Sequence, residues 1–121
     1  MSSIAAHVRR IGVTRRYASA VVHNGTINLV EVADDETLDF AGQVAQILAQ
    51  VEKTLASASS DKHHLLQVLI YVKHLSDVPK LNEIWDAWVP EGHAPVRACV
   101  QANLVNEKFL VEFVVTAAIK L

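Results

Sequence analysis

The chain switches between two spacings of its apolar residues, and the switches predict an order of elements. Residues 4–10 read as a short edge strand, followed by an arginine-rich turn through Arg15 and Arg16. Residues 19–23 and 26–32 are strand-like and flank Asn24-Gly25, the strongest two-residue hairpin signal in the chain, and Asp34-Asp35 ends the second of them. Over residues 38–58 the spacing becomes helical: Val44, Ile47, Leu48, Val51 and Leu55 share one face, with Thr37 expected as the cap and Asp39 favourable in the first turn. Residues 65–74 return to a strand with Val68, Ile70 and Val72 opposite Leu69, Tyr71 and Lys73. A second helix begins at a Ser76 or Asp77 cap with Pro79 in its first turn, carries Leu81, Ile84, Trp85 and Trp88 on its apolar side, and is stopped by Pro90 and Gly92. Two final strands, 96–104 and 109–116, alternate cleanly and read as a hairpin closed around Asn106.

This order predicts an α+β fold, a sheet of about six strands with two helices on one face and the other face bare. At 121 residues, 51% hydrophobic and 20% charged, the chain has enough apolar side chains for one core, so residues 1–121 are expected to be a single domain. A net charge of -2, from 11 basic and 13 acidic residues, gives no footprint for a polyanion and argues against nucleic-acid binding. The single cysteine excludes an intrachain disulfide, the first residues lack an export-signal pattern, and no apolar stretch spans a bilayer. A cytoplasmic protein that does not engage membranes is expected.

The bare face carries the candidate chemistry. Arg97, in the run Ala94-Pro95-Val96-Arg97-Ala98-Cys99-Val100, is a charged residue on a small, apolar strand. Its planar guanidinium stays charged at any working pH and matches a carboxylate. Simple alternation places Arg97, Cys99, Gln101 and Glu112 on the uncovered face beside Leu69, Tyr71, Leu110 and Val114, and the supposed hairpin sets Glu112 nearer Gln101 or Cys99 than Arg97. Large mixed apolar surfaces are seldom left in water, so self-association is expected, with a site shared between copies. The plainer alternative makes Arg97 a salt-bridged surface residue.

With these segments in hand the chain resembles the RidA family, also called YjgF. The resemblance rests on Pro95-Val96-Arg97-Ala98-Cys99-Val100 and Val111-Glu112-Phe113, together with Ala20-Val21-Val22-His23-Asn24-Gly25-Thr26, Asp39-Phe40-Ala41-Gly42-Gln43 and Leu81-Asn82-Glu83-Ile84-Trp85. It implies a chorismate-mutase-like fold assembled as a homotrimer with clefts between subunits. It further implies hydrolysis of reactive enamines and imines, of the 2-iminobutanoate and 2-iminopropanoate type, to 2-oxo acids and ammonia without a cofactor. In that reading Arg97 clamps the substrate carboxylate and Glu112 activates water. Cys99 lines the cleft, Tyr17 closes over ligand and Asn82 stands near the pocket.

One segment departs from the family pattern. Where a small residue followed by Gly-Gln usually comes after the second strand, this chain runs Asn28-Leu29-Val30-Glu31-Val32. A glycine permits close backbone approach to a ligand; Val30 and Glu31 are expected to narrow the pocket and add a negative charge. A binder of 2-oxo acids without catalysis is therefore the rival reading, and ribonuclease activity a third. Cys99 has no paired histidine of the kind that activates a nucleophile. The 6 histidines lack zinc-site spacing, so no metal is expected. Tyr17 reads equally as a strand-entry aromatic, and Trp85 and Trp88 as core residues.

Overall fold

A computed structural model describes residues 7–120. Six strands form one sheet in the order β1-β2-β3-β6-β4-β5, where β1 is Arg9–Ile11, β2 Ala20–His23, β3 Thr26–Glu31, β4 Leu65–Val72, β5 Val96–Gln101 and β6 Val111–Ala118. Two helices, α1 (Phe40–Ser57) and α2 (Val78–Trp88), complete the set. The mixed sheet with its two helices is the α+β architecture the alternating periods predict. Of the edge strand expected at 4–10, residues 4–6 lie outside the described residues, and pairing to β2 begins at Arg9.

The β2–β3 turn forms as the sequence dictates. Asn24 and Gly25 both adopt positive φ, 51° and 76°, which matches a two-residue turn to the twist of its strands. In α1 the predicted stripe Val44, Ile47, Leu48, Val51 and Leu55 is buried. The cap differs from expectation. Asp39 takes the N-cap and accepts from the Gly42 N–H at 2.8 Å, while Thr37 turns its hydroxyl to Asp35 at 2.6 Å in the preceding turn. Asp77 precedes α2 without capping it through its side chain, leaving Pro79 to pre-set the first turn.

The last two strands overturn the hairpin reading. β6 runs antiparallel between β3 and β4, whereas β5 lies on the far side of β4 and parallel to it, so β5 and β6 are not neighbours. A parallel pair needs a crossover, and α2 supplies it between β4 and β5. Burial explains the order. β6 buries Val111, Phe113, Val115 and Ala117 and takes a central place, while the half-exposed β5 serves as an edge.

The core is the layer between the sheet and the helices, where Val68, Ile70, Phe113 and Val115 meet Val44, Ile47, Val51, Leu81 and Trp85. Gln43 and Ser60 are the buried polar residues among those described, and Gln43 is fully enclosed. Its amide donates to the carbonyls of Leu38 and Lys108 and accepts from the Leu110 N–H, tying α1 to the segment that leads into β6.

Candidate functional site

The register of β5 decides where the expected site residues go. Arg97 pairs with Val68 and Cys99 with Ile70, and those partners face the helices. Arg97, Cys99 and Gln101 therefore stand on the helix side of the sheet, not on the bare face where simple alternation puts them. Alternation gives a period but not a direction, and a one-residue choice of phase inverts every side chain. The small apolar set of β5 is what faces outward, with Val96 69% and Val100 51% exposed.

On the helix side Arg97 meets α2. Its Nη2 donates to Asn82 Oδ1 at 2.7 Å, and its guanidinium carbon lies 5.4 Å from the centre of the Trp85 ring. Asn82 and Trp85 are three residues apart, so both fall on one face of the helix. Among the described residues no carboxylate lies within ion-pair distance of Arg97, which removes the plain salt-bridge reading. With no counter-ion among the described residues, the partly buried guanidinium keeps N–H donors that can pair with an anion. Cys99 stands beside it on the same strand face. Burial pushes its thiol up despite the opposing pull of Arg97, which keeps it neutral at physiological pH and unsuited to nucleophilic attack.

Glu112 occupies the opposite face. It pairs with Tyr71, and Leu69 pairs with Val114, so these four form part of the open surface as expected. Glu112 lines a cleft of about 400 Å³ with Tyr17, Ala18, Ser19, Val30, Glu31, Val32 and Asp34. Burial raises its carboxyl above the usual 4.5. Tyr17 stands at the cleft, held by a self-tied turn in which its N–H donates to Thr14 Oγ1 at 3.2 Å and its carbonyl accepts from the Thr14 N–H at 2.7 Å. Gly12 at φ +64° starts that loop, where a Cβ would come within 2.5 Å of Ser19 Oγ.

Val30 narrows the cleft as expected, standing half exposed on its wall. Glu31 lines the same cleft, as expected. Its carboxylate accepts from Gln50 Nε2 at 2.8 Å and belongs to the α1 side, since residues 27, 29 and 31 alternate toward the helices. The Glu31 carboxylate at the cleft wall is thus also tied to α1. Burial raises the Glu31 carboxyl, partly offset by the Gln50 bond.

The chain accordingly carries two groups of candidate residues, Arg97 with Asn82 and Cys99 on one face and Tyr17 with Glu112 on the other. Trp85, read from sequence as core, joins the first group; its helical spacing from Asn82 was the signal. Residues 8–119 match the family described as Endoribonuclease L-PSP. The chain belongs to the YjgF/RutC family. The RutC family protein YoaB of Escherichia coli is 38% identical over 110 residues, covering 91% of this chain and 96% of its own. A RutC family protein of Haemophilus ducreyi is 36% identical over 113 residues, covering 93% and 97%. A crystal structure of a YjgF family member from Neisseria meningitidis superposes with a TM-score of 0.90 at 39% identity, covering 96% of this chain and 98% of that one. The sheet and helices are thus the chorismate-mutase-like YjgF fold. Among the described residues no helix is long and apolar enough to cross a membrane, and no cluster of three or more metal-ligating side chains occurs.

Proposed function

We propose that this YjgF/RutC chain hydrolyses reactive imines and enamines of small carboxylic acids to 2-oxo acids and ammonia, as a cytoplasmic homotrimer of single-domain subunits whose sites lie between neighbours. The observation that carries the reading is Arg97. A half-buried guanidinium on a rigid strand, tied to Asn82 and without a carboxylate partner among the described residues, is suited to seat a substrate carboxylate. The exposed valines of β5 and the open sheet face favour burial against further copies. Such an assembly would bring Glu112 and Tyr17 of one subunit toward Arg97 of the next.

The chemistry follows from the groups present. A protonated imine beside a carboxylate is a zwitterion, suited to a site with Arg97 at one end and acidic residues at the other. Glu112 takes a proton as a water oxygen bonds to the imine carbon, giving a carbinolamine. It returns that proton to nitrogen, and as the C–N bond breaks it takes the hydroxyl proton, which passes to the departing ammonia, so that the 2-oxo acid and ammonium leave and Glu112 is again a carboxylate. Burial raises the Glu112 carboxyl, which makes it a stronger proton acceptor than a free carboxylate and suits a group that must both take and give a proton. Tyr17 covers the ligand, and Cys99 lines the seat without forming a bond. No cofactor is required.

Val30 supports a second reading, a 2-oxo acid binder without turnover, because its side chain fills space that the small-Gly-Gln turn leaves open in the family pattern. The test is hydrolysis of 2-iminopropanoate, generated in place by an amino-acid oxidase, with wild type and Arg97→Ala. Acceleration by wild type alone supports the enzyme; no acceleration, with calorimetric binding of 2-oxobutanoate, supports the binder. The acidic balance of the chain disfavours ribonuclease activity, which an RNA cleavage assay checks directly.

A further inference from the structure

Arg97 leaves β5, the edge strand of the sheet among the described residues, with no further strand beyond it there to fix its long side chain. Left to itself such a chain samples many rotamers and would have to be ordered each time a ligand arrived. Two side chains of α2 prevent that. Asn82 accepts from one terminal nitrogen, and the Trp85 ring lies 5.4 Å from the guanidinium carbon, within the range over which an aromatic ring attracts a cation.

Trp85 is itself packed into the core. It is 5% exposed, its ring centre lies 5.5 Å from that of Trp88 and 6.4 Å from that of Phe113, and both neighbours are fixed in the helix and the central strand. Its chemistry matters as much as its packing. A carboxylate in that position would hold Arg97 equally well but would neutralise it and compete with any incoming acid. An indole supports the positive charge while leaving the donor fork unpaired. Asn82 uses one of five N–H donors as a neutral acceptor, so an edge with paired donors stays available to a carboxylate.

We infer that Trp85 is a positioning residue that, with Asn82, holds the Arg97 guanidinium charged, oriented and unpaired for a substrate carboxylate. The inference rests on the proposed acid seat and adds to it a residue that touches neither substrate nor water. It also gives Asn82 a role exerted through Arg97 rather than on the ligand.

Two measurements separate the inference from the reading beneath it. The first needs no ligand. In NMR spectra of the intact protein labelled on arginine, the Arg97 side chain should show a ring-current shift and slowed rotation of its terminal nitrogens, both lost in Trp85→Leu and largely kept in Trp85→Phe. The second is calorimetric titration with 2-oxobutanoate alongside imine hydrolysis. Trp85→Leu should weaken binding and raise KM by roughly 3- to 30-fold, the span expected for losing a cation–ring contact, while kcat stays within about 3-fold and Trp85→Phe recovers most of the loss. Melting curves identify any variant that fails to fold, in which case Trp85→Phe against Asn82→Ala carries the comparison. Absence of the NMR signature in wild type, or unchanged affinity in a folded Trp85→Leu, overturns the inference. A wild type that shows the signature but neither binds 2-oxobutanoate nor hydrolyses imine overturns the acid-seat reading instead.

Discussion

Arg97 and Glu112 leave opposite faces of one sheet: Arg97 pairs with the core-facing Val68, and Glu112 with Tyr71 of the open face. Two groups so placed on one rigid sheet cannot meet around a small molecule within a subunit. Their cooperation requires a second copy.

That requirement predicts complementation. Arg97→Ala and Glu112→Gln should each be inactive as pure proteins. Refolded together in equal amounts, they should regain about a quarter of wild-type imine hydrolysis, because random pairing around a closed ring leaves that share of shared sites intact. Light scattering should report a trimer throughout. No recovery from a mixed trimer would mean that Arg97 and Glu112 do not serve one shared site.

Glu112 predicts opposite changes in activity and stability. Its carboxyl is raised by burial, so kcat/KM should climb with pH through an apparent pKa above 4.5, and Glu112→Gln should lower it by about 10²- to 10⁴-fold. A raised native pKa means that the unfolded chain gives up this proton first. Stability therefore falls as pH rises from 4.5 through the native value, and is lower above it. Glu112→Gln removes that fall, so thermal melts near neutral pH should show a variant at least as stable as wild type.

Gln43 predicts a loss of stability at a distance from the chemistry. Gln43→Leu keeps the side chain's size but orphans the Leu110 N–H and the carbonyls of Leu38 and Lys108. Each buried group left without a partner costs roughly 1–3 kcal/mol. Urea unfolding should show a lower midpoint. Hydrogen exchange at the start of β6, beside Glu112, should accelerate.

Asp61 predicts an acid-limited contribution. Its carboxyl is pulled down to about 2, chiefly by the His64 ring nitrogen at 2.6 Å, with the His63 N–H and Lys120 assisting. A depressed native pKa contributes stability above the ordinary 3.8, and the contribution fades as pH falls toward about 2. Asp61→Asn should melt below wild type at pH 6, with the gap closing between pH 4 and pH 2.

Local chemistry alone determined much of this protein. Asn24-Gly25 closes its hairpin because two adjacent residues that tolerate positive φ suit no other turn so well. The stripe from Val44 to Leu55 buries itself because a period of 3.6 leaves it one apolar side. The resemblance carried by Pro95 to Val100 and by Glu112 correctly indicates the family and hence the sheet with its two helices.

Strand neighbours and facing needed the tertiary structure. The alternations in β5 and β6 look equally fit for a hairpin, but backbone ladders are blind to sequence distance, and β6, with every second residue buried, takes the centre while β5 goes to the edge. That one choice turns Arg97 toward Asn82 and Trp85 rather than toward the open face. Residue types fixed which groups can seat an acid or move a proton. Which of them share a face was decided by the pairing of distant strands, a long-range contact energy that no single segment contains.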